Sequence, residues 1–252
     1  VLKSLPFYND LGEEKHHEFR SLILLRHIIK EYNIEISDNE RQVIEDVIYP
    51  EKNKYNDWIQ EFQVGKFILD IVCNKKNNID VDKFDYIARD NLAIGLKLGF
   101  DYSRLIQFAK VIDDTICYPK KIIDDIYHLF FVRYRLYKQI YSHKTVIAIE
   151  TMLADILIDY IKKTDFLNKD SLKDPNKLIL LTDHIFYFIK IMGYSKDMFN
   201  RIDTRRLYTF LGEFINNAED NINVNLTKLQ SDLQKNNPDV KIKLEDFIIK
   251  QY

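Results

Sequence analysis

The scarcity of glycine and proline is the sequence feature that most restricts how this chain can fold. Only six of its 252 residues are glycine and five are proline. Because both residues interrupt helices, their rarity leaves room for long uninterrupted helices over most of the chain. A hydrophobic fraction of 46% is ample for a substantial core. The sequence therefore predicts a mostly α protein and argues against disorder.

Charge and cysteine content restrict the classes of partner and compartment. Lys and Arg number 37 against 39 Asp and Glu, a net charge of -2. Nucleic acid is therefore possible but not indicated as a partner, and phosphate binding would depend on local groups. The two cysteines, Cys73 and Cys117, are too far apart for a ligand pair, which indicates a reducing, intracellular environment, cytoplasm or nucleus. The longest apolar runs fall short of the roughly 18 residues of a membrane span, so we expect no membrane partner.

Apolar residues recur at helical spacing in several segments. The second of them opens with Ser37-Asp38-Asn39-Glu40, the S-x-x-E form of a capping box, and should end near Pro50. The predicted helical segments are residues 22–32, 37–50, 62–71, 79–89, 101–112 and 124–163, the last as one helix or two. Near the end, residues 222–226 and 240–244 alternate apolar and polar side chains, which predicts strands.

The segment 80–90 carries the densest set of chemically useful side chains. On a helix, Asp82, Lys83, Tyr86 and Asp90 share one face, separate from the apolar stripe. That face offers a carboxylate for a metal, an ammonium for a phosphate and an aromatic ring for a sugar or base. The same pattern is also typical of a solvated amphipathic helix whose first acids complement the helix dipole.

A second set of candidate residues follows in the longest helical pattern. Arg133 lies within an apolar stripe, where a guanidinium needs an anion or a carboxylate, so a phosphate contact and a structural ion pair are both possible. Tyr141 could stack on a nucleobase or pack in the core. His143 and Lys144 could contact a phosphate or form a solvated charge pair.

His16 and His17 precede the first predicted helix, without the partner at three or four residues that a metal pair needs. This pattern is typical of surface residues, although one imidazole near a metal would serve as a general acid. No glycine-rich phosphate loop, nucleophile elbow, C-x-x-C pair or H-E-x-x-H motif is present, which argues against kinase, P-loop and zincin chemistry.

Three strings, IDVDKFDYIARD at 79–90, FDYSRLIQFAKV at 100–111 and YSHK at 141–144, strongly resemble one known family. In order and spacing, the chain resembles the SAM-and-HD-domain deoxynucleoside triphosphate triphosphohydrolases of animals and their relatives. The likeness begins at His17 and continues to residues 240–247. The resemblance implies an HD-domain-like helical core with a small C-terminal α/β lobe. It divides the chain into the C-terminal part of the catalytic core (1–165), a helical extension (166–220) and the start of the small mixed lobe (221–252).

The resemblance also implies an activity and a set of roles. The family hydrolyses a deoxynucleoside triphosphate (dNTP) to a deoxynucleoside and inorganic triphosphate with a divalent metal; Mg, Mn, Fe and Zn are not distinguished. The matching positions are His17 as general acid, Asp82 as metal ligand, Lys83 and Arg133 at the phosphates, Tyr86 and Asp90 at the sugar, and Tyr141 and Ser142 at the base.

Relatives assemble as tetramers with activating nucleotides, GTP or dNTP, bound between subunits, which implies a homo-oligomer. Positions at or near those regulatory sites match Asp101, Arg104, Lys121, His143, Lys144 and Arg205.

Departures from the family pattern affect the metal, the base and the regulatory site. Asn91-Leu92-Ala93 stands where relatives have a histidine pair, Ser142 replaces a glutamine, and Pro119 replaces a phosphate-binding arginine. None of the six histidines is followed by Asp, and the family places its His-Asp metal motif before the position matching His17.

We therefore expect the metal to need residues upstream of Val1, and the 252 residues alone to be inactive. Two alternatives remain open: a catalytically dead relative that acts as a nucleotide sensor or scaffold, and an HD phosphohydrolase for another nucleotide.

Overall fold

The computed structural model describes residues 4–50, 61–96, 99–164, 166–212, 226–236 and 238. Helices account for most of these residues, which confirms the predicted mostly α class. The helices are α1 (His17–Glu31), α2 (Asp38–Ile48), α3 (Leu69–Val72), α4 (Val81–Ala93), α5 (Ser103–Phe108), α6 (Ile123–Leu136), α7 (Lys144–Thr164), α8 (Pro175–Leu178), α9 (His184–Ile191), α10 (Lys196–Asp203) and α11 (Leu226–Asn236). Strands β1 (Lys110–Ile112) and β2 (Thr115–Cys117) form a two-stranded antiparallel sheet.

The capping box predicted at Ser37 is present and starts α2. The Ser37 hydroxyl accepts from the Glu40 backbone N–H at 3.2 Å, and the Glu40 carboxylate accepts from the Ser37 N–H at 2.9 Å. These two bonds satisfy backbone donors that a helix start otherwise leaves unpaired. The helix ends at Ile48, in agreement with the predicted stop near Pro50.

The chemically rich segment lies over a buried apolar cluster that α4, α5 and α6 share. Its buried members are Ile79, Phe84, Ile87, Leu105, Ile122, Leu129, Val132 and Leu136. Each such side chain contributes about 1.5–3 kcal/mol by leaving water, so this cluster holds the three helices in place. Of the predicted stripe on α4, Phe84 and Ile87 are buried, but Val81 in the first turn is 42% exposed.

The longest helical pattern, left as one helix or two by the sequence, forms two. Helix α6 ends at Leu136, a π turn covers Tyr137–Tyr141, and α7 begins at Lys144. Helix α7 packs with α9 and α10 around a second buried cluster, centred on Ile156, Tyr160 and Ile189.

The prediction of a helix through residue 112 is wrong. Helix α5 ends at Phe108, Ala109 turns to an extended conformation, and Lys110–Ile112 pairs with Thr115–Cys117. The connecting residues Asp113 and Asp114 have φ of 47° and 58°, as a two-residue hairpin turn with positive φ at both positions requires. Aspartate tolerates this region better than most residues, so the Asp113-Asp114 pair is the sequence signal for the hairpin.

The Asp114 carboxylate also sets the position of the element predicted at 62–71. It accepts from the backbone N–H of Lys66 at 2.9 Å and of Phe67 at 3.2 Å, which starts a 3₁₀ turn that leads into α3. A Cβ on Gly65 would lie 2.1 Å from Asp114 Oδ1, so glycine is required for this close approach.

The chain divides into two compact units, Val1–Tyr208 and Thr209–Tyr252. Residues 222–225 and 240–244, predicted as strands, lie outside the described residues, and Leu226 begins α11. This helix extends to Asn236. The predicted boundaries after residues 165 and 220 stay predictions. No helix in the described part of the chain is both long and apolar enough to cross a membrane.

Candidate functional site

The start of α4 is held by Asp80, a residue to which the sequence pattern assigned no role. Its carboxylate caps the helix by accepting from the Lys83 backbone N–H at 3.0 Å, and it also accepts from the Asn74 N–H at 3.3 Å. The Lys83 ammonium lies 3.2 Å from the same carboxylate and is only 15% exposed. The pattern D-x-x-K before an apolar run would have indicated this cap. The Asp80 carboxylate therefore fixes both the start of α4 and the position of the Lys83 ammonium beside its first turn.

Two hydrogen bonds join α4 to α6 and the π turn, and both involve predicted site residues. Arg133 Nε donates to Tyr86 Oη at 3.1 Å. The Tyr141 hydroxyl donates to the Asp90 carboxylate. Tyr86 and Asp90 lie one turn apart on α4, and Arg133 and Tyr141 lie eight residues apart on the other side. The structure therefore brings four of the predicted substrate-facing residues together.

The two tyrosine hydroxyls remain protonated in this setting. Burial raises the pKa of Tyr86, although the neighbouring Arg133 charge opposes the shift. Burial, followed by the hydrogen bond to Asp90 and its charge, raises the pKa of Tyr141 far above its ordinary value. Both phenols are therefore neutral groups that can donate and accept hydrogen bonds throughout the physiological pH range.

Tyr137 lies between the two hydrogen-bonded pairs and was not predicted from the sequence. Its ring centroid is 4.8 Å from the Arg133 guanidinium and 5.0 Å from the Tyr141 ring, in an edge-to-face contact. Among the described residues, the contacts of Arg133 are thus a phenol and a ring face, which leaves its charge without a carboxylate partner. This arrangement favours an anion contact of Arg133 over the structural ion pair. The sequence carries no local spacing signal for these contacts, because a continuous α-helix would turn residue 141 about 80° away from residue 133.

Asp82 is exposed in the first turn of α4, and its charge contributes to the raised pKa of Tyr86. His17, the first residue of α1, has an 81% exposed side chain with Nδ1 3.2 Å from the Glu18 carboxylate. Burial raises the pKa of the Cys73 thiol. Within the described residues, no hydrogen bond or ion pair joins His17 to Asp82.

A complete metal site is not formed by the described residues. Within them, no three His, Cys, Asp or Glu side chains come together as a group that could hold a metal ion. Asp82 by itself offers a single carboxylate, so the described donors do not fit a bound divalent ion without additional ligands.

Ser142 and His143 connect the π turn to α7. The Ser142 N–H donates to the Tyr137 carbonyl at 2.9 Å and closes the π turn. His143 Nδ1 accepts from the Thr145 N–H at 3.2 Å, which places this exposed imidazole at the start of α7. Lys144 is exposed in the first turn of the same helix.

Three of the predicted regulatory residues lie in one neighbourhood around α5. The Lys121 ammonium is 3.6 Å from the Phe108 ring centroid, and the Arg104 guanidinium lies 6.0 Å from the same ring and pairs with Asp125 at 3.2 Å. Hydrogen bonds from Ser103, first from its hydroxyl and then from its backbone N–H at 2.8 Å, lower the pKa of the Asp101 carboxyl.

Arg205, the last predicted regulatory residue, follows α10 with a φ of 59°. Within the described residues, no hydrogen bond or ion pair links Arg205 or His143 to Asp101, Arg104 or Lys121.

Comparison with known proteins identifies close relatives of the chain. No family model matches it. It is 34% identical over 235 residues, or 90% of its length, to the deoxynucleoside triphosphate triphosphohydrolase SAMHD1 homolog of Dictyostelium discoideum. Identity is 32% over 228 residues to deoxynucleoside triphosphate triphosphohydrolase SAMHD1 of Homo sapiens, covering 82% of this chain. The putative HD domain-containing protein L394 of Acanthamoeba polyphaga mimivirus is 37% identical over 177 residues, covering 69% of this chain.

The chain spans less than half the length of these relatives: 44% of the first, 35% of the second and 36% of the third. Identity at this level along most of the chain agrees with the motif order found in the sequence and with the helical fold. The chain belongs to the SAMHD1-type, HD-domain deoxynucleoside triphosphate triphosphohydrolase family.

Proposed function

We propose that the protein containing this chain hydrolyses a dNTP to a deoxynucleoside and inorganic triphosphate. The observation that carries the proposal is the pairing of Arg133 with Tyr86 and of Tyr141 with Asp90 across α4 and α6. By the resemblance, these four residues match the family positions for phosphate, sugar and base, and two hydrogen bonds connect them in pairs. The names of the relatives from Dictyostelium and human support the same activity.

Lys83 and Arg133 would bind the triphosphate. A guanidinium carries five N–H donors, and Arg133 uses Nε for Tyr86, so its remaining donors can meet phosphate oxygens in a bidentate manner. The Lys83 ammonium has three donors, of which Asp80 accepts one. Both cations are held by neighbours before substrate arrives, which reduces the entropy lost on binding.

Tyr86 and Asp90 would contact the sugar, and Tyr141 with Ser142 would lie at the base. Tyr86 presents a neutral hydroxyl, and Asp90 keeps acceptor capacity beyond its bond to Tyr141, so the pair can bind a deoxyribose hydroxyl. The Tyr141 ring is held by Asp90 on one end and by Tyr137 at its side, which suits it to stacking.

In the proposed reaction, a water oxygen bonds to the α-phosphorus and the bond between that phosphorus and the 5′ oxygen breaks. The triphosphate leaves with the new oxygen, and the 5′ oxygen takes a proton to become the deoxynucleoside hydroxyl. We assign the donation of that proton to His17, since an imidazole can act as a general acid near neutral pH. Lys83 and Arg133 would stabilise the charge that develops on the phosphate oxygens.

We propose a divalent metal with Asp82 as one ligand, without distinguishing Mg, Mn, Fe and Zn. The described residues do not hold such an ion by themselves, so further ligands would have to join Asp82. The 252 residues alone are accordingly expected to bind little metal and to turn over negligible dNTP. We also propose a homo-oligomer, a tetramer by resemblance, activated by GTP or dNTP. We place it in the cytoplasm or nucleus, in agreement with two unpaired cysteines.

The experiment is a product assay on the full-length protein with each of the four dNTPs, using ion-exchange chromatography to resolve the phosphates. We expect equal amounts of deoxynucleoside and inorganic triphosphate. Release of a nucleoside monophosphate with pyrophosphate would refute the assigned bond cleavage. Tight nucleotide binding without any product would instead favour the nucleotide sensor.

A further inference from the structure

The surface between α4 and α6 contains one aromatic residue to which neither the resemblance nor the names of the relatives give a role. Tyr137 is half-buried on the π turn, four residues after Arg133 and four residues before Tyr141. Its ring contacts both of them, at 4.8 Å from the guanidinium and at 5.0 Å, edge to face, from the Tyr141 ring. A ring face attracts a cation and a ring edge meets another ring favourably, so both contacts are stabilising.

The π turn explains how Arg133 and Tyr141, eight residues apart, both reach α4 while Tyr137 contacts the two of them. In a continuous α-helix, each four-residue step turns about 40° beyond a full circle, so residue 141 would lie about 80° from residue 133. The π turn, closed by the Ser142 N–H to the Tyr137 carbonyl at 2.9 Å, has an i→i+5 repeat. Within the π turn, four residues therefore complete slightly less than a full turn. The step from Arg133 to Tyr137 exceeds a full turn and the step from Tyr137 to Tyr141 falls short of one, so Tyr141 lies on the same face as Arg133.

As a result, the five side chains form a connected chain of contacts between two helices. Tyr86 bonds Arg133, Arg133 stacks on Tyr137, Tyr137 meets Tyr141, and Tyr141 bonds Asp90. Tyr86 and Asp90 belong to α4, and the other three belong to α6 and the π turn. The contact of Tyr137 with both partners is what links the phosphate end of the surface to the base end.

We propose that Tyr137 is a positioning residue, whose ring holds the Arg133 guanidinium for a triphosphate and the Tyr141 ring for a base, at the spacing of one deoxynucleoside triphosphate. The role rests on the proposed function, because it assigns Arg133 and Tyr141 to opposite ends of that substrate. It depends on the ring and not on the Tyr137 hydroxyl. A leucine is also apolar, but it is smaller and lacks both the ring face and the ring edge.

The test compares Tyr137→Phe and Tyr137→Leu in the full-length protein, with Tyr134→Leu as the matched control. Tyr134 lies on α6 with the Lys138 ammonium 5.8 Å from its ring, so the control removes a similar cation contact away from the site. We expect Tyr137→Phe and Tyr134→Leu to keep kcat/KM within about twofold, and Tyr137→Leu to lose about tenfold. The loss should fall mainly on KM, because two binding groups lose their orientation.

A double-mutant cycle separates positioning from an independent role. If Tyr137 acts through Arg133, Tyr137→Leu should cost much less in an Arg133→Ala background than in the wild type. Additive losses would overturn the proposal, as would a Tyr137→Leu variant that loses thermal stability but keeps its kinetic constants. Equal losses in Tyr137→Phe and Tyr137→Leu would also overturn it, because they would assign the effect to the hydroxyl.

A binding measurement distinguishes failure of this proposal from failure of the proposed function. The probe is a dNTP analogue with an imido group between the α- and β-phosphates, titrated calorimetrically. If the wild type releases no triphosphate but binds the analogue, the hydrolase assignment fails, and the ratio of Kd between Tyr137→Leu and Tyr137→Phe still decides the positioning role. If the wild type does not bind the analogue, both proposals fail.

Discussion

Arg133 carries a positive charge into a half-buried position, and its neighbours determine what that charge can do. Tyr86 accepts one hydrogen bond and Tyr137 offers a ring face, but neither neutralises the guanidinium. A cation oriented in this way has both the remaining donors and the charge for a phosphate. Asp82, in contrast, is an exposed carboxylate, so its proposed role as a metal ligand depends on which further ligands bind the same ion.

Replacing Arg133 tests the phosphate contact directly. We expect Arg133→Ala to lower kcat/KM of the full-length protein by about 10- to 100-fold, because charge-assisted hydrogen bonds to the triphosphate are lost. Arg133→Lys should recover only part of this, since an ammonium lacks the planar fork. Steady-state kinetics with thermal melts measure both effects. An Arg133→Ala variant with a reduced melting temperature but normal kinetic constants would show that Arg133 stabilises the fold and does not bind phosphate.

Asp82 is tested by metal content and rate together. We expect Asp82→Ala to reduce bound divalent metal and to abolish turnover in the full-length protein, a loss of several kcal/mol in transition-state stabilisation. The fold should survive because the side chain is exposed. Asp85→Ala is the matched control, since Asp85 lies on the same helix and pairs with Arg89 at 3.2 Å. Unchanged metal content and rate in Asp82→Ala would remove the ligand assignment.

Helix α4 depends at its first turn on one buried carboxylate. Asp80 caps the helix, accepts from the Asn74 N–H and holds the Lys83 ammonium. The loop before the helix and the Lys83 ammonium are thus positioned by the same carboxylate.

Loss of this cap should destabilise the fold more than loss of an ordinary exposed cap. We expect Asp80→Ala to lower the free energy of unfolding by about 2 kcal/mol, because it leaves a helix N–H, the Asn74 N–H and a poorly solvated ammonium without their acceptor. Asp80→Asn, which keeps the acceptor but not the charge, should lie between that variant and the wild type. Urea denaturation measures the difference. A cost of Asp80→Ala no larger than that of Asp85→Ala would contradict this account.

Helices α7 and α10 are connected at the end of the first unit by Tyr208. Its hydroxyl donates to Asp155 Oδ2 at 2.7 Å, and the Arg201 guanidinium lies 5.3 Å from its ring centroid. Burial, with the hydrogen bond and charge of Asp155, raises the pKa of Tyr208 from its ordinary 10.0 to about 12.

This shift predicts a loss of stability at high pH. Because the folded-state pKa lies above the unfolded one, the stabilisation is fully present below about pH 10 and is lost as the pH rises toward about 12. We expect the wild type to lose stability more steeply over this interval than Tyr208→Phe, whose ring cannot ionise. Denaturation at several pH values measures both slopes. Parallel profiles for the two proteins would show that Tyr208 does not titrate in this way.

At the scale of the whole molecule, the chain spans less than half the length of its relatives. Around α5, Arg104 and Lys121 place two cations about one aromatic ring, at positions that the resemblance assigns to a regulatory nucleotide. A nucleotide bound between subunits would couple such cations to assembly.

We expect the full-length protein to form larger oligomers when GTP or dNTP is added, because the triphosphate would neutralise like charges brought together from different subunits. Light scattering with and without nucleotide measures the change. Arg104→Glu with Lys121→Glu should suppress it, whereas Lys169→Glu, an exposed charge reversal away from α5, should not. A protein that stays monomeric under all these conditions would remove the regulatory assignment.

Most of the helices and much of the candidate site were predictable because their signals are local. The capping box at Ser37 and the shared face of Asp82, Lys83, Tyr86 and Asp90 depend on residues three or four positions apart, and such spacing is visible in any sequence. The hairpin at Asp113 was missed because its apolar residues also fit a helical period. Its true signal was a pair of aspartates that tolerate positive φ.

The sequence by itself determined that the chain is helical, which face of α4 carries the polar groups, and to which family the motifs belong. Only the tertiary structure decided which residues meet that face. Arg133 bonds a tyrosine 47 positions earlier in the chain, and Tyr141 bonds an aspartate 51 positions earlier. Contacts over such separations follow from how the apolar sides of α4 and α6 pack, and the π turn that aligns Tyr137 and Tyr141 has no local spacing signal.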